Sequence, residues 1–209
     1  MITPPGIPGV VFGTRADGDA RSDGRARDTI STHFEIPRDW ATIRQVHGSV
    51  VAYADAPGFY GDADGLVTDV PGLPIAIATA DCVPVVLISQ RSRAVVHAGW
   101  RGVAAGAVPE AVDVMHRAGN PVERAVIGPH IGPCCYEVGQ EVVDAIGGFA
   151  AKTRAGRTSV DLGLAIRTQL DTIETVDMGI CTFEDGSMAS YRQDRTSDRQ
   201  VTVAWLPQA

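Results

Sequence analysis

The sequence predicts an α+β protein, with mixed β-sheets flanked by helices, in a single domain over residues 1–209. Three observations carry this. The segments 75–80, 83–89 and 93–97 are β-branched and apolar on both faces, as interior strands are. Residues 103–117 have helical spacing, with Val108, Ala111, Val112 and Met115 on one face. Strands and helices then mix without a regular βαβ alternation, which points to mixed sheets.

Taken in order, 10–14 reads as a strand and 15–28, rich in Gly, Asp and Arg, as a polar loop. A short helix at 30–34 ends before Pro37. Strands at 42–46 and 50–54 flank His47-Gly48, and 61–69 is turn-rich. After the three apolar runs, Gly99 to Gly102 breaks the strand pattern, and Gly119 stops the helix that follows. A strand at 124–127 leads into the loop GPHIGPCCYEVG. A helix at 140–149, a polar loop at 151–157 and an amphipathic helix at 161–173 come next, the last with Leu164, Ile166 and Leu170 as core candidates. Strands at 178–182, 188–192 and 200–206 close the chain.

Composition excludes several function classes. The 209 residues are 44% hydrophobic and 21% charged, which suits a folded core. The net charge is −7, with no basic stripe for nucleic acid. The most apolar stretch, 73–89, is interrupted by Pro74, Asp81 and Pro84, so no membrane span is expected. The start MITPPGIPGV lacks the basic-then-apolar pattern of a signal peptide, which makes the cytoplasm the expected compartment. There Cys82, Cys134, Cys135 and Cys181 should be thiols or ligands, not a disulfide frame. The expected partner is a small-molecule substrate, met by a monomer.

Three segments place metal-capable residues at strand ends or glycine breaks: QVHG at 45–48, TADC at 79–82 and VVHAGWRG at 95–102. A catalytic zinc site uses three His, Cys or carboxylate ligands and keeps one position open, so His47, Cys82 and His97 form a candidate set. Against it, His47 can be a turn residue, Cys82 a buried inert thiol and His97 a hydrogen-bonded core histidine. Asp81 is harder to dismiss. A carboxylate between apolar strands costs several kcal/mol unless paired, and such groups orient ligand histidines or accept protons. Arg101, after Gly99-Trp100 at a helix start, suits an anion, or else stacks on Trp100. Arg44 precedes His47 by three residues, and Cys134-Cys135 sit in a Gly/Pro loop that could border a pocket.

These pieces together resemble one family. FGTR at 12–15, QVHG, ADGLVTDVPGL at 63–73, TADCVPVVL at 79–87, AVVHAGWRG at 94–102, IGPCCYEVG at 131–139, DLGLAIRTQL at 161–170 and SYR at 190–192 run in family order. The chain is similar to members of the YfiH family, also called the polyphenol-oxidase or laccase-domain family. The resemblance implies a fold related to bacterial toxin deamidases and zinc at His47, Cys82 and His97. It implies phosphorolysis of adenosine, inosine and methylthioadenosine, and deamination of adenosine. His47, Cys82, His97 and Asp81 are the expected catalytic residues; Arg44, Arg101, Asp64 and Cys134 are the expected substrate contacts. Two departures bear on substrate contacts: a shortened 16–44 segment, and SYRQDRTSDR where the family often has SYRRDG.

Two other readings use the same residues. A copper-dependent polyphenol oxidase wants two His, a Cys and an axial ligand at a blue-copper centre, and several more histidines at a trinuclear one. The chain has only five: His33, His47, His97, His116 and His130. A cysteine hydrolase or amidase acting on peptidoglycan precursors would use Cys82 as nucleophile and His97 as base.

Overall fold

A computed structural model describes residues 1–19 and 24–208. The elements are β1 (Val10–Phe12), a single 3₁₀ turn (Arg15–Asp17), α1 (Arg25–Phe34), β2 (Ala41–Arg44), β3 (Val51–Tyr53), β4 (Gly58–Asp62), β5 (Gly65–Thr68), β6 (Ile75–Thr79), β7 (Val83–Ile88) and β8 (Arg93–Ala98). They continue with α2 (Trp100–Ala104), α3 (Ala107–Arg117), β9 (Arg124–Ile127), α4 (Gln140–Ile146), β10 (Ala150–Lys152), β11 (Thr158–Val160), α5 (Leu162–Gln169), β12 (Glu174–Asp177), α6 (Tyr191–Asp194) and β13 (Gln200–Ala204).

Two mixed sheets carry the fold. One runs β1-β13-β6-β2-β4 and the other β12-β9-β7-β8-β5-β3. In the second, β7 is antiparallel to both β8 and β9, and β8 to β5, while β9–β12 and β3–β5 are parallel. The period-2 alternation of strands explains why both faces are apolar. Val83, Val85 and Leu87 of β7 pack outward on α3 and α5, through Val108, Met115 and Ile166. Val86 and Ile88 point the other way, onto Val10, Phe12, Ile75 and Ile77 of the first sheet. That sheet's outer face, with Val11, Ala76, Val201 and Val203, packs on Ile30 of α1 and on Trp40. The layers are therefore helix, sheet, sheet, helix. Each fully buried Val, Ile or Phe contributes about 1.5–3 kcal/mol.

The mixed-sheet class and the interior strands follow the sequence pattern. Several local expectations do not. The segment 61–69 holds the end of β4 and all of β5, because Gly65 to Thr68 ladder with Arg93 to Val96 of β8. The helix read over 103–117 is two helices, broken at Gly106, whose φ of +77° lies in the left-handed region. The polar loop at 151–157 is the turn of a β10–β11 hairpin, closed by the Thr153 N–H on the Arg157 carbonyl at 2.9 Å. The strand expected at 178–182 lies earlier, at Glu174–Asp177, beside β9. The strand expected at 188–192 is replaced by α6, which Ser190 caps by accepting from the Gln193 N–H at 3.2 Å. The polar loop read over 15–28 holds the 3₁₀ turn and the start of α1; positions 20–23 lie outside the described residues.

This topology positions the site. β6 belongs to one sheet and β7 to the other, so the chain crosses between sheets at Ala80-Asp81-Cys82. The β5–β8 register places Asp64 beside His97, whose N–H donates to the Asp64 carbonyl at 2.7 Å. The loop after β2 brings His47 to the same corner.

Candidate metal-binding active site

His47, Cys82 and His97 converge. Their ligand atoms lie within 4.8 Å of one another, and the two imidazole rings meet edge to face at 4.8 Å between centroids. Gly99 makes room for this. A Cβ there would stand 3.0 Å from the Cys82 sulfur and 3.1 Å from His47 Cδ2, tighter than side chains tolerate.

One buried carboxylate organises the three. Asp64 is fully buried and accepts from His97 Nδ1 at 2.7 Å. The same carboxylate accepts from the backbone N–H groups of His47 at 2.9 Å, Gly48 at 2.6 Å and Val46 at 3.3 Å. It thus fixes the orientation of one imidazole and the backbone that presents the other, leaving His97 Nε2 free to face Cys82. Gln45 completes the loop's attachment. Its amide donates to the Ala78 carbonyl at 2.8 Å and accepts from the Ala78 N–H at 2.9 Å. His47 itself has φ +61°, a conformation that costs a non-glycine residue about 1–3 kcal/mol and that these bonds sustain.

Asp81 has φ +87° and is held in a second network. Its carboxylate accepts from the hydroxyls of Thr182 and Ser190, both at 2.7 Å, and from the Arg192 N–H at 2.7 Å. With three donors spent on it, Asp81 orients the Cys82 turn and ties it to 182–192. Of the two roles the sequence offered for Asp81, orienting a ligand histidine and accepting a proton, the first is filled by Asp64 at His97.

The electrostatics favour an ionised thiol. Burial alone would raise Cys82, but hydrogen bonds from His47 and His97 and their charge bring it down to about 6. Burial opposes the charged form of His97, yet Asp64 and Cys82 hold it up at about 9. In the metal-free chain Cys82 is therefore largely thiolate at neutral pH. Alkylation of Cys82 in chelator-treated protein, followed by peptide mass spectrometry, is expected to rise through pH about 6 and level off above it. A midpoint near the ordinary thiol value of about 8.5 would refute the pairing.

Two cavities open on the ligands. A larger one of about 340 Å³ is lined by His47, Cys82, His97, Asp81, Tyr136, Tyr191, Arg192 and Arg199. A smaller one of about 120 Å³ lies against His47, Cys82, Trp100, Arg101 and Tyr136. Tyr136 is shared by both. Its hydroxyl is pushed up to about 12 by burial and then by the negative charge of Cys82 and Asp81, against the pull of Arg192 and Arg101, so it stays a donor at neutral pH. The order of the sequence did not single out Tyr136, Arg192 or Arg199. Their only signals were membership of CCYEVG and the SYR segment.

The four expected substrate contacts separate. Arg101 lines the smaller cavity while its guanidinium stacks 4.3 Å above the Trp100 ring. Asp64 is enclosed behind His97 and has no surface to offer a substrate. Arg44 pairs with Asp62 at 2.7 Å and lines a different groove, because the strand carries its side chain away from His47. Cys134 turns toward Cys135 and Cys181 instead of the cavities.

The donor set of two imidazoles and a thiolate fits a zinc ion and equally a single copper ion. It does not fit a multicopper centre. His130 is buried with Nδ1 on the Gly128 carbonyl at 2.9 Å, His33 packs on Phe34, and His116 lies exposed at the end of α3. Among the described residues, no metal-capable group includes any of the three.

Residues 12–207 match the sequence profile of a family described as multi-copper polyphenol oxidoreductase laccase. The chain belongs to this family. A Streptomyces coelicolor relative named purine nucleoside phosphorylase is 39% identical over 180 residues, covering 78% of this chain and 74% of that protein. A Deinococcus radiodurans relative of the same name is 35% identical, covering 99% of this chain and 96% of its own. Two solved structures share the fold. YfiH of Bacillus licheniformis has a TM-score of 0.84 at 26% identity over 94% of this chain and 92% of its own. YlmD of Geobacillus stearothermophilus has 0.85 at 27% identity over 98% and 94%. The resemblance to the YfiH family read from the motifs is thereby established.

Proposed function

We propose that this chain is a metal-dependent purine nucleoside phosphorylase acting on adenosine, inosine and methylthioadenosine, with deamination of adenosine as a side activity. The observation that carries the reading is an open His/Cys/His site in a cavity wall, on a chain whose relatives carry the name purine nucleoside phosphorylase. The larger cavity falls in the size range of small-molecule sites, roughly 300–1,000 Å³. When bound at His47, Cys82 and His97, the metal supplies Lewis acidity toward an oxygen of phosphate or water.

The chain's own residues bind and orient. Tyr136 and Tyr191 give the cavity aromatic walls for a purine. Arg192 and Arg199 in this cavity, and Arg101 in the smaller one beside it, give the positive charge that a phosphate dianion requires. In phosphorolysis the C1′–N9 bond breaks with its electron pair leaving on the purine, and a phosphate oxygen bonds to C1′. The departing base takes a proton, for which the Tyr136 hydroxyl is a donor on the cavity wall. Small-molecule chemistry of this kind needs neither nucleic acid nor membrane, and among the described residues no helix is long and apolar enough to cross one. A reducing, cytoplasmic setting and a monomer complete the proposal.

Adenosine with phosphate should yield adenine and ribose 1-phosphate, and without phosphate only inosine, as separated by liquid chromatography. Arg101→Ala should raise the phosphate requirement by one or two charge-assisted bonds of about 1.5–3 kcal/mol each. Deamination should suffer less. Equal loss of both activities in a folded variant defeats the phosphate role. No turnover of any purine nucleoside by metal-loaded protein rejects the substrate class.

One observation favours a second reading. A thiolate at Cys82 flanked by two histidines is also the nucleophile of a cysteine hydrolase or amidase, such as one acting on peptidoglycan precursors. Activity that survives complete metal removal distinguishes it.

A further inference from the structure

The three cysteines outside the His47–Cys82–His97 centre also gather. Cys134 and Cys135 lie in the loop after β9, Cys181 after β12, and their sulfurs lie with a carboxylate oxygen of Glu184 within 4.8 Å of one another. Cys134 Sγ is 3.2 Å from Cys135 Sγ and 3.7 Å from Cys181 Sγ. Sulfurs bonded at about 2.3 Å to one tetrahedral ion stand about 3.8 Å apart, so small side-chain shifts close the set.

We propose that Cys134, Cys135, Cys181 and Glu184 form a second metal site, a closed four-ligand site for a zinc-class divalent ion. Four protein ligands with no open position are the mark of a structural site, in contrast to the three-ligand centre beside the cavities.

The surroundings support this. The Gly132 N–H donates to Cys181 Sγ at 3.2 Å, the kind of bond that stabilises a ligating thiolate. Arg154 grips both oxygens of Glu184, at 2.9 and 3.0 Å, and each oxygen keeps a lone pair for a metal. Three thiolates and a carboxylate around a dication carry a net charge of −2, and the Arg154 guanidinium offsets part of it. The Arg154 N–H also donates to the Cys134 carbonyl at 2.9 Å. The backbone is already in register, since the Thr182 N–H donates to the His130 carbonyl at 2.9 Å and the His130 N–H to the Ile180 carbonyl at 3.1 Å. On binding, each thiol gives its proton to solvent as its sulfur bonds the ion. No electron is transferred.

The position gives the ion a purpose. Cys181 precedes Thr182, which holds Asp81, and Cys135 precedes Tyr136, which lines both cavities. A metal here staples together two loops that build the wall of the first site.

The test is metal content of the reduced full chain, saturated with zinc and desalted. Wild type is expected to retain two ions, Cys82→Ala one, and the Cys134→Ser/Cys181→Ser double variant one, with circular dichroism confirming folding. Glu184→Gln, a milder change, should weaken the second ion by about 10-fold or more with the first still bound. Cobalt(II) substitution reads the ligands directly. Sulfur-to-cobalt charge-transfer absorption should fall to the level of one thiolate in the double variant and remain at that of three in Cys82→Ala. Saturation of the wild type at a single ion that disappears in Cys82→Ala overturns the proposal. So does a cobalt spectrum showing only one thiolate in the wild type.

Discussion

Replacing Asp64 with alanine is expected to be the most damaging single change at the site. It removes the acceptor of four hydrogen bonds, from His97 Nδ1 and from the N–H groups of Val46, His47 and Gly48, at a position without solvent. Breaking a buried charged pair costs about 3–5 kcal/mol, and whole domains are stable by only about 5–15 kcal/mol. At about 2–4 °C of Tm per kcal/mol for a chain of this size, the melting temperature should drop by roughly 6–20 °C. Metal affinity should fall about 10- to 100-fold, the usual effect of losing the partner of a ligating histidine. Asp64→Asn separates the two effects, because it keeps the shape and one acceptor oxygen while losing the charge. Calorimetry of Asp64→Ala showing an unchanged Tm would mean that the carboxylate does not hold the His47 loop.

Cys82→Ala is expected to abolish metal binding at the His47–His97 centre together with activity. Only two neutral ligands remain, and the thiolate, brought down to about 6 by its histidines, is the sole anionic one. The loss of affinity should exceed the roughly 100-fold that a supporting residue accounts for. Cys181→Ala should leave this centre occupied, since Cys181 lies in the other cluster. Metal analysis and nucleoside turnover on the same preparations decide the matter. A Cys82→Ala protein that retains its metal at this centre but loses activity identifies Cys82 as a nucleophile.

The strands that build the site were legible because their apolar runs have no other stable home. Residues 75–79, 83–88 and 93–98 are apolar on both faces, and both faces are covered, by helices on one side and a second sheet on the other. His47, Cys82 and His97 were legible as a set because each sits where an apolar run meets a glycine or a turn. Less legible were residues whose role depends on what arrives from elsewhere in the chain. Asp64 reads like any acid in a turn-rich segment until β5 pairs with β8. Asp81 reads as a carboxylate in need of partners, and those partners, Thr182, Ser190 and Arg192, come from about 100 positions on. The strand expected at 188–192 fails for the same reason. Ser190 and the Arg192 N–H are recruited by Asp81, and the chain coils into α6.

The sequence by itself determined the class of fold, the interior strands and the identity of the three candidate ligands, because burial and donor chemistry belong to residue types. Only the tertiary structure decided which carboxylate backs a histidine and which arginine faces a cavity. It alone showed that Cys134, Cys135 and Cys181 stand together. Hydrogen bonds and coordination act over about 3 Å, and neighbours at that range are chosen by sheet register and loop closure, not by distance along the chain.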